Sequence, residues 1–253
     1  MRSFVVTGGG RGVGRAVVER LARDGHVVVL DLVGEPGEPP GGDATTFTDD
    51  PRVTLVRGDA ADPGTARRAA DAAEDRAPLA GWVNNAAVFQ DLPVTAPPAE
   101  VLAAVSANLA LAITGCHTAV GHFLRYRRPG AVVNVSSHQA QRPVRGALPY
   151  ATAKGAIEAL TRAVAVDHGP AAIRTNAVAL GSVETERYER YRQEHPDVDR
   201  QMAALHPLGR VGTGREVADV VAFLLSDQAG FVNGAVLPVD GGRAAQGADP
   251  EAV

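Results

Sequence analysis

Of the 25 Lys and Arg residues in this chain of 253, one is a lysine, Lys154, and the other 24 are arginine. Cysteine is nearly absent too. Cys116 stands alone, which excludes an intrachain disulfide and a thiolate metal site and points to a reducing, cytoplasmic setting. The seven histidines show no paired ligand spacing, so no metal is expected. Aromatic residues make up 4%, so the core must be built from Ala, Val and Leu. An excess of positive charge is missing: the net charge of -4 gives no basic footprint for nucleic acid or an anionic membrane. The most apolar long window, residues 101–120, still holds Ser106, Asn108, Thr114 and His117, which reads as a buried helix rather than a membrane span. No charged and apolar leader precedes "SFVVTGGG", and no export signal is expected. A G-x-S-x-G elbow is also lacking, which argues against a serine hydrolase.

What is present is an alternation. Short β-branched runs at 4–8, 26–31, 52–58, 81–86, 131–136, 173–179 and 235–240 predict strands. The Ala-rich segments near 12–24, 62–76, 98–127, 150–168 and 214–226 predict helices. Strands alternating with helices imply an α/β fold, a parallel sheet with helices on both faces. Such sheets bind ligands beyond the carboxyl ends of their strands. A single domain over residues 1–242 accounts for the pattern. Residues 33–51, rich in Pro, Gly and acids, read as an irregular loop, and 243–253 as a frayed tail.

The first strand runs into "TGGGRGVG". Gly8, Gly12 and Gly14 have the spacing that lets a backbone turn tightly and approach a pyrophosphate at a helix N-terminus. Asp31 ends the next strand. A carboxylate there can accept from both adenosine ribose hydroxyls and would repel a 2′-phosphate, which favours NAD over NADP. Arg11, in the glycine turn, argues the other way, since a base there can reach such a phosphate. Leu32 supplies no second base. Asp59, after the third strand, can meet the adenine amino group or cap the following helix.

Tyr150 and Lys154 are four residues apart in "YATAK", one turn apart on one helix face. A phenol titrates near ~10 and is a poor acid or base at neutral pH. A nearby ammonium favours the phenolate. Lys can hold its charge near the phenol while donating to ribose hydroxyls, a dual task that a rigid guanidinium fits poorly. Lys154→Arg is therefore expected to impair function and leave folding nearly untouched. Ser137, at the end of a strand thirteen residues before Tyr150, can bind the same substrate oxygen. Its neighbour Ser136 should point to the opposite side by strand alternation.

Taken in order, "TGGGRGVG", "NNAA" at 84–87, Asn108 in a long helix, "NVSS", "YATAK" and "HPLGRVG…EVADVVAFLLSD…NGAVLPVDGG" resemble the short-chain dehydrogenase/reductase family nearly end to end. The resemblance implies a single Rossmann-type doubly wound parallel sheet of about seven strands, assembled as a homotetramer or homodimer. It implies hydride transfer between a nicotinamide cofactor and a small secondary alcohol or ketone. Tyr150 would be the general acid/base, Ser137 its oxygen-binding partner and Lys154 the contact to the nicotinamide ribose. Asn108 would hold a water linking Lys154 to solvent. Its alternative is a buried amide satisfied by neighbouring backbone. Val13, Ala60, Asn85 and Ala86 would line the cofactor, and the loop after Gly181 would bring Val183 and Thr185 to the carboxamide. Two positions depart from the pattern: Ala87 replaces a usual Gly, and Leu180 replaces the Pro of a usual Pro-Gly.

Residues 182–208 occupy the family's substrate-loop position and are highly charged. Arg142 and Arg145 lie between Ser137 and Tyr150, where they either meet an anionic substrate or sit at the surface or a subunit contact. A different class of function, a non-catalytic NAD(P)-binding redox sensor, would not need the Ser137, Tyr150 and Lys154 set, because a sensor requires no proton donor.

Overall fold

Seven parallel strands form one sheet: β1 (Ser3–Thr7), β2 (His26–Asp31), β3 (Val53–Arg57), β4 (Leu79–Asn84), β5 (Gly130–Ser137), β6 (Ile173–Leu180) and β7 (Val236–Val239). Their order is β3-β2-β1-β4-β5-β6-β7. The computed structural model describes residues 1–32 and 50–247; the expected loop at 33–51 therefore lies outside the described residues except for its last two. The helices are α1 (Gly12–Leu21), α2 (Pro63–Arg76), α3 (Pro98–Arg125), α4 (Leu148–His168), α5 (Glu186–Glu194), α6 (Val198–Leu205) and α7 (Gly214–Leu225). The strand order reverses between β1 and β4, and a doubly wound sheet opens its ligand crevice at that point.

Period-two alternation divides the core into two layers. Phe4 and Val6 of β1 and Val27 and Val29 of β2 pack with Val17 and Leu21 of α1 and Val221 and Leu225 of α7. Val5 and Leu30 turn the other way, onto Ala66, Ala70 and Ala73 of α2 and Ala119 and Phe123 of α3. Alanine on the helix side lets α2 lie close to the sheet. Capping is explicit: Asp62 accepts from Thr65 N at 2.7 Å to start α2, and Thr213 and Glu216 form a capping box for α7. α3 is apolar enough to span a membrane by composition, but here it packs on β4 and α4.

The expected substrate loop is not irregular. α5 and α6 occupy much of 182–208, with Thr185 Oγ1 capping α5 by accepting from Tyr188 N at 3.2 Å. His206, almost fully buried, anchors its far end: Nδ1 donates to Met202 O at 2.7 Å, and Nε2 accepts from Ser182 N at 3.2 Å. Residues 243–247, expected as frayed tail, form a turn bound to the body: Ala244 N donates to Asp240 Oδ2 at 2.7 Å and Arg142 Nε to Ala244 O at 2.7 Å. Residues 248–253 lie outside the described residues.

Glu74 ties three elements together. Its carboxylate accepts from Leu79 N at 3.0 Å, from His122 Nε2 at 3.0 Å and from Arg128 Nη2 at 2.6 Å. Burial alone would raise this carboxyl, but those hydrogen bonds and the Arg128 charge prevail and hold it at about 2, below its usual 4.5. A depressed carboxyl contributes stability above its unfolded value and loses it as pH falls through the folded one. Chemical denaturation at stepped pH should show wild type losing stability between pH about 4.5 and about 2, with a shallower slope for Glu74→Gln. Glu74→Ala should cost about 1–3 kcal/mol at neutral pH, because it strands the Leu79 and His122 donors.

Candidate active site

The glycine turn lies at the crevice. Gly8 and Gly12 take left-handed φ values of 64° and 54°, which favour glycine. A Cβ on Gly14 would run into Gly8 O and the Asn85 amide, and one on Gly8 would come within 2.8 Å of Ala86 Cα. Asn85 locks the turn by donating from Nδ2 to Thr7 O at 3.1 Å and to Gly8 O at 2.8 Å. Thr7 Oγ1 in turn accepts from the N–H groups of Asn85 and Ala86. The strand read as 81–86 therefore ends at Asn84, because the next residues turn to serve β1. Helix α1 begins at this turn with no acidic residue in its first turn and no side-chain cap from Arg11. Its leading N–H groups and dipole suit a pyrophosphate, so the residues present fit a dinucleotide. Val13 packs on the core from that first turn.

Asp31 reaches the same turn and accepts from Gly10 N at 2.8 Å, which fixes its carboxylate beside the glycines. Arg11 is exposed, and Leu32 is 50% exposed. Asp59 accepts from Ala61 N at 2.8 Å in the turn after β3; the helix cap considered for it belongs to Asp62. Ala60 is buried beneath that turn.

At the other end, β5 delivers Ser137 to helix α4. The Ser137 hydroxyl accepts from Gln139 N at 3.2 Å and lies near enough to the Tyr150 phenol to favour its ionised form. Ser136 faces away, as alternation predicts, donating to Glu158 Oε1 at 3.1 Å. Lys154 is buried, 3% exposed. Its Nζ donates to Val135 O at 2.6 Å and lies 5.3 Å from the Tyr150 ring centroid. Burial pushes Lys154 down to about 8. Burial likewise pushes Tyr150 up to about 12, against opposition from Ser137 and the Arg187 charge. The expected depressed phenol is therefore not what the free chain has. Desolvation of the buried phenol outweighs both opposing influences.

Two contacts here went unread in the sequence. Phe89 stacks on Tyr150, with ring centroids 5.0 Å apart, and the Arg187 guanidinium lies 4.6 Å from the Phe89 centroid. Arg187 belongs to α5, so this helix and the loop after β4 meet over the phenol. Asn108 supports this mouth from beneath: Oδ1 accepts from Val88 N at 2.9 Å and Nδ2 donates to Val88 O at 2.8 Å. These side-chain bonds go to backbone, the alternative weighed for Asn108. Gly181 admits a close approach, since a Cβ there would stand 2.8 Å from Asp240 Cα. Val183 bridges to Gly212 and packs on the core beside Leu180. Thr185 brings its methyl group to 3.5 Å from the position of a Cβ on Gly12, so α5 starts over the glycine turn.

This arrangement has close counterparts. The family model described as Enoyl-(Acyl carrier protein) reductase matches residues 8–244. The 2-(R)-hydroxypropyl-CoM dehydrogenase of Xanthobacter autotrophicus is 34% identical, over 95% of this chain and 97% of that protein. The chain belongs to the short-chain dehydrogenase/reductase family. Levodione reductase of Leifsonia aquatica is also 34% identical, over 96% of this chain and 94% of its own. A crystal structure of levodione reductase superimposes with a TM-score of 0.83 at 33% identity, covering 97% of this chain and 98% of that one. A putative 2-deoxy-d-gluconate 3-dehydrogenase from Agrobacterium tumefaciens with bound NADP gives a TM-score of 0.82 at 26% identity, covering 97% of each chain. As a member of this family, the protein is an NAD(P)-dependent oxidoreductase acting on CH–OH donors.

The burial of Lys154 overturns one expectation. A bulkier guanidinium would have to enter this buried site, so Lys154→Arg is expected to disturb folding as well as chemistry. Denaturant unfolding of this variant of the short-chain dehydrogenase should show a loss of about 1–3 kcal/mol. Steady-state kinetics should show kcat/KM down by about a hundredfold, the cost of a displacement near 1 Å.

Proposed function

We propose that this enzyme is an NAD-preferring dehydrogenase or reductase of secondary alcohols and ketones, with Tyr150 as its general acid/base. The observation that carries the reading is the convergence of Ser137 and Tyr150 hydroxyls above a buried Lys154. In alcohol oxidation the substrate O–H proton passes to the Tyr150 oxygen; in ketone reduction Tyr150 returns it to the carbonyl oxygen. The Ser137 hydroxyl donates to that same oxygen and fixes its position. Lys154, one turn on, presents the positive charge that favours the phenolate. When bound, the nicotinamide supplies the hydride acceptor or donor, and its oxidised form brings a further positive charge. Gly8, Arg11, Gly12, Val13 and Gly14 would hold the pyrophosphate end, with Asn85 and Ala86 fixing the turn. Asp31, Asp59 and Ala60 would take the adenosine. Gly181, Val183 and Thr185 would close over the nicotinamide.

Preference for NAD rests on Asp31, held at the glycine turn by Gly10. Its charge opposes a 2′-phosphate, and Arg11 is the only basic residue in the turn. A homo-oligomer, dimer or tetramer, is supported by α3, where Leu102, Ile113 and Leu124 recur at eleven-residue spacing and are 65%, 47% and 45% exposed. Sedimentation of the purified protein reads this directly. Cys116, buried and pushed up to about 11 by burial, suits a reducing cytoplasm.

Absorbance of reduced cofactor against a panel of secondary alcohols and ketones tests the assignment. Tyr150→Phe should retain the fold and cofactor binding and lose about 10²–10⁴-fold in kcat. Activity surviving that change would remove Tyr150 from the role. In the same assay Asp31→Ala should weaken NAD and relax discrimination against NADP. Each lost charged hydrogen bond is worth about 1.5–3 kcal/mol. Tighter binding of NADP than NAD by wild type would reverse the cofactor assignment in favour of Arg11.

A further inference from the structure

Past the carboxyl ends of β5, β6 and β7, the chain forms a half-open cavity of about 330 Å³ whose wall includes His138, Arg142, Val144, Leu205 and Arg243. It adjoins the reacting end of the site. His138 follows Ser137 directly. Arg243 Nη1 donates to Ser182 Oγ at 2.8 Å, and Ser182 lies two residues beyond Leu180, the register partner of Ser137.

The charge in this cavity is one-sided. Arg142 gives Nε to Ala244 O, and Arg243 gives one N–H to Ser182, yet neither guanidinium forms an ion pair among the described residues. Three other partly buried arginines are satisfied. Arg20 and Arg128 have carboxylates, and Arg174 donates to the carbonyls of Leu224, Ser226 and Val232. The acid nearest this cavity, Asp240, lies outside its lining, with its two oxygens accepting from the N–H groups of Gly242 and Ala244, although its charge is felt by Arg243 and His138. His138 is buried, and its Nδ1 has no hydrogen-bond partner among the described residues. Burial, then the Arg243 charge, holds its ring down at about 4, so it adds no cation near neutral pH. Arg243 is itself lowered by burial, against the opposing pull of the Asp240 charge. Arg142 is exposed and Arg243 is partly buried, and the planar donor fork of each matches a carboxylate. Val144 and Leu205 supply an apolar wall for a short aliphatic link.

We propose that this cavity is a substrate subsite for a carboxylate, carried on the tail of the alcohol or ketone whose reacting oxygen meets Ser137 and Tyr150. The inference rests on the dehydrogenase reading and names its substrate class. A free inorganic anion has the same chemistry, so the test separates the two sources.

The probes are methyl secondary alcohols of increasing chain length and the same alcohols bearing a terminal carboxylate. At the chain length that spans the two sites, the carboxylate should raise kcat/KM of wild type by about tenfold or more, the value of one charged hydrogen bond. Arg142→Gln and Arg243→Gln should each lower this acid-to-neutral ratio by about tenfold. Inorganic sulfate should compete with the carboxylated alcohols. Equal turnover of both series by wild type, or a ratio unchanged in both variants, would overturn the subsite. Sulfate that alters turnover of neutral alcohols without competing with the acids would assign the cavity to a free anion instead. Calorimetric binding of the same pairs decides the matter even without turnover. A preference for the carboxylated partner that both variants lose supports the subsite, and its absence removes it. A chain that turns over neither series loses the dehydrogenase reading.

Discussion

An ammonium buried at the end of a parallel sheet sets the terms for everything around it. Lys154 keeps its Nζ on the Val135 carbonyl, inside the protein, where an uncompensated charge is expensive. Because that bond pins α4 to β5, Tyr150 one turn earlier must emerge beside Ser137, the last residue of the strand. Ser136 and Glu158, on the far side of the same junction, secure it: Ser136 donates to the carboxylate, and Gln141 Nε2 reaches its other oxygen at 3.3 Å. The catalytic geometry is thus a consequence of how one helix is tied to one strand.

The same burial sets the resting protonation state. Desolvation raises the phenol to about 12 and lowers the ammonium to about 8, so near neutral pH Tyr150 is protonated and Lys154 still carries its charge. A site balanced this way responds strongly to any positive charge added nearby. At the opposite end of the crevice the constraint is steric. Gly14, Gly8 and the Asn85 amide are so close that no side chain fits, and the space left beside α1 is bounded by backbone donors. Between the two ends, α5 bridges the crevice through Thr185 at the glycine turn and Arg187 over Phe89.

Much of this was legible from the residues in order. Period-two runs gave the seven strands, and alternation put Ser136 and Ser137 on opposite sides of the sheet. The glycines and Asp31 fell where the spacing predicts. Helix α5 was not legible because its charge runs all round and leaves no buried stripe, and α6 because its stripe of Val198, Met202 and Leu205 spans only two turns. Phe89 and Arg187 were missed because they meet Tyr150 across segments far apart in sequence. The direction of the Tyr150 shift was also beyond reach. A four-residue spacing places two groups on one face, whereas the balance of desolvation and charge depends on the burial that the whole fold creates.

The most direct test of the central claim is a spectroscopic pH titration of the Tyr150 phenol, taken as the difference between wild type and Tyr150→Phe, with and without saturating NAD. The account predicts that the phenol of the free chain resists ionisation, with a midpoint pushed toward about 12, and that it titrates at distinctly lower pH once the oxidised cofactor is bound. A phenol that titrates near ~10, as an exposed tyrosine does, and ignores the cofactor would contradict it.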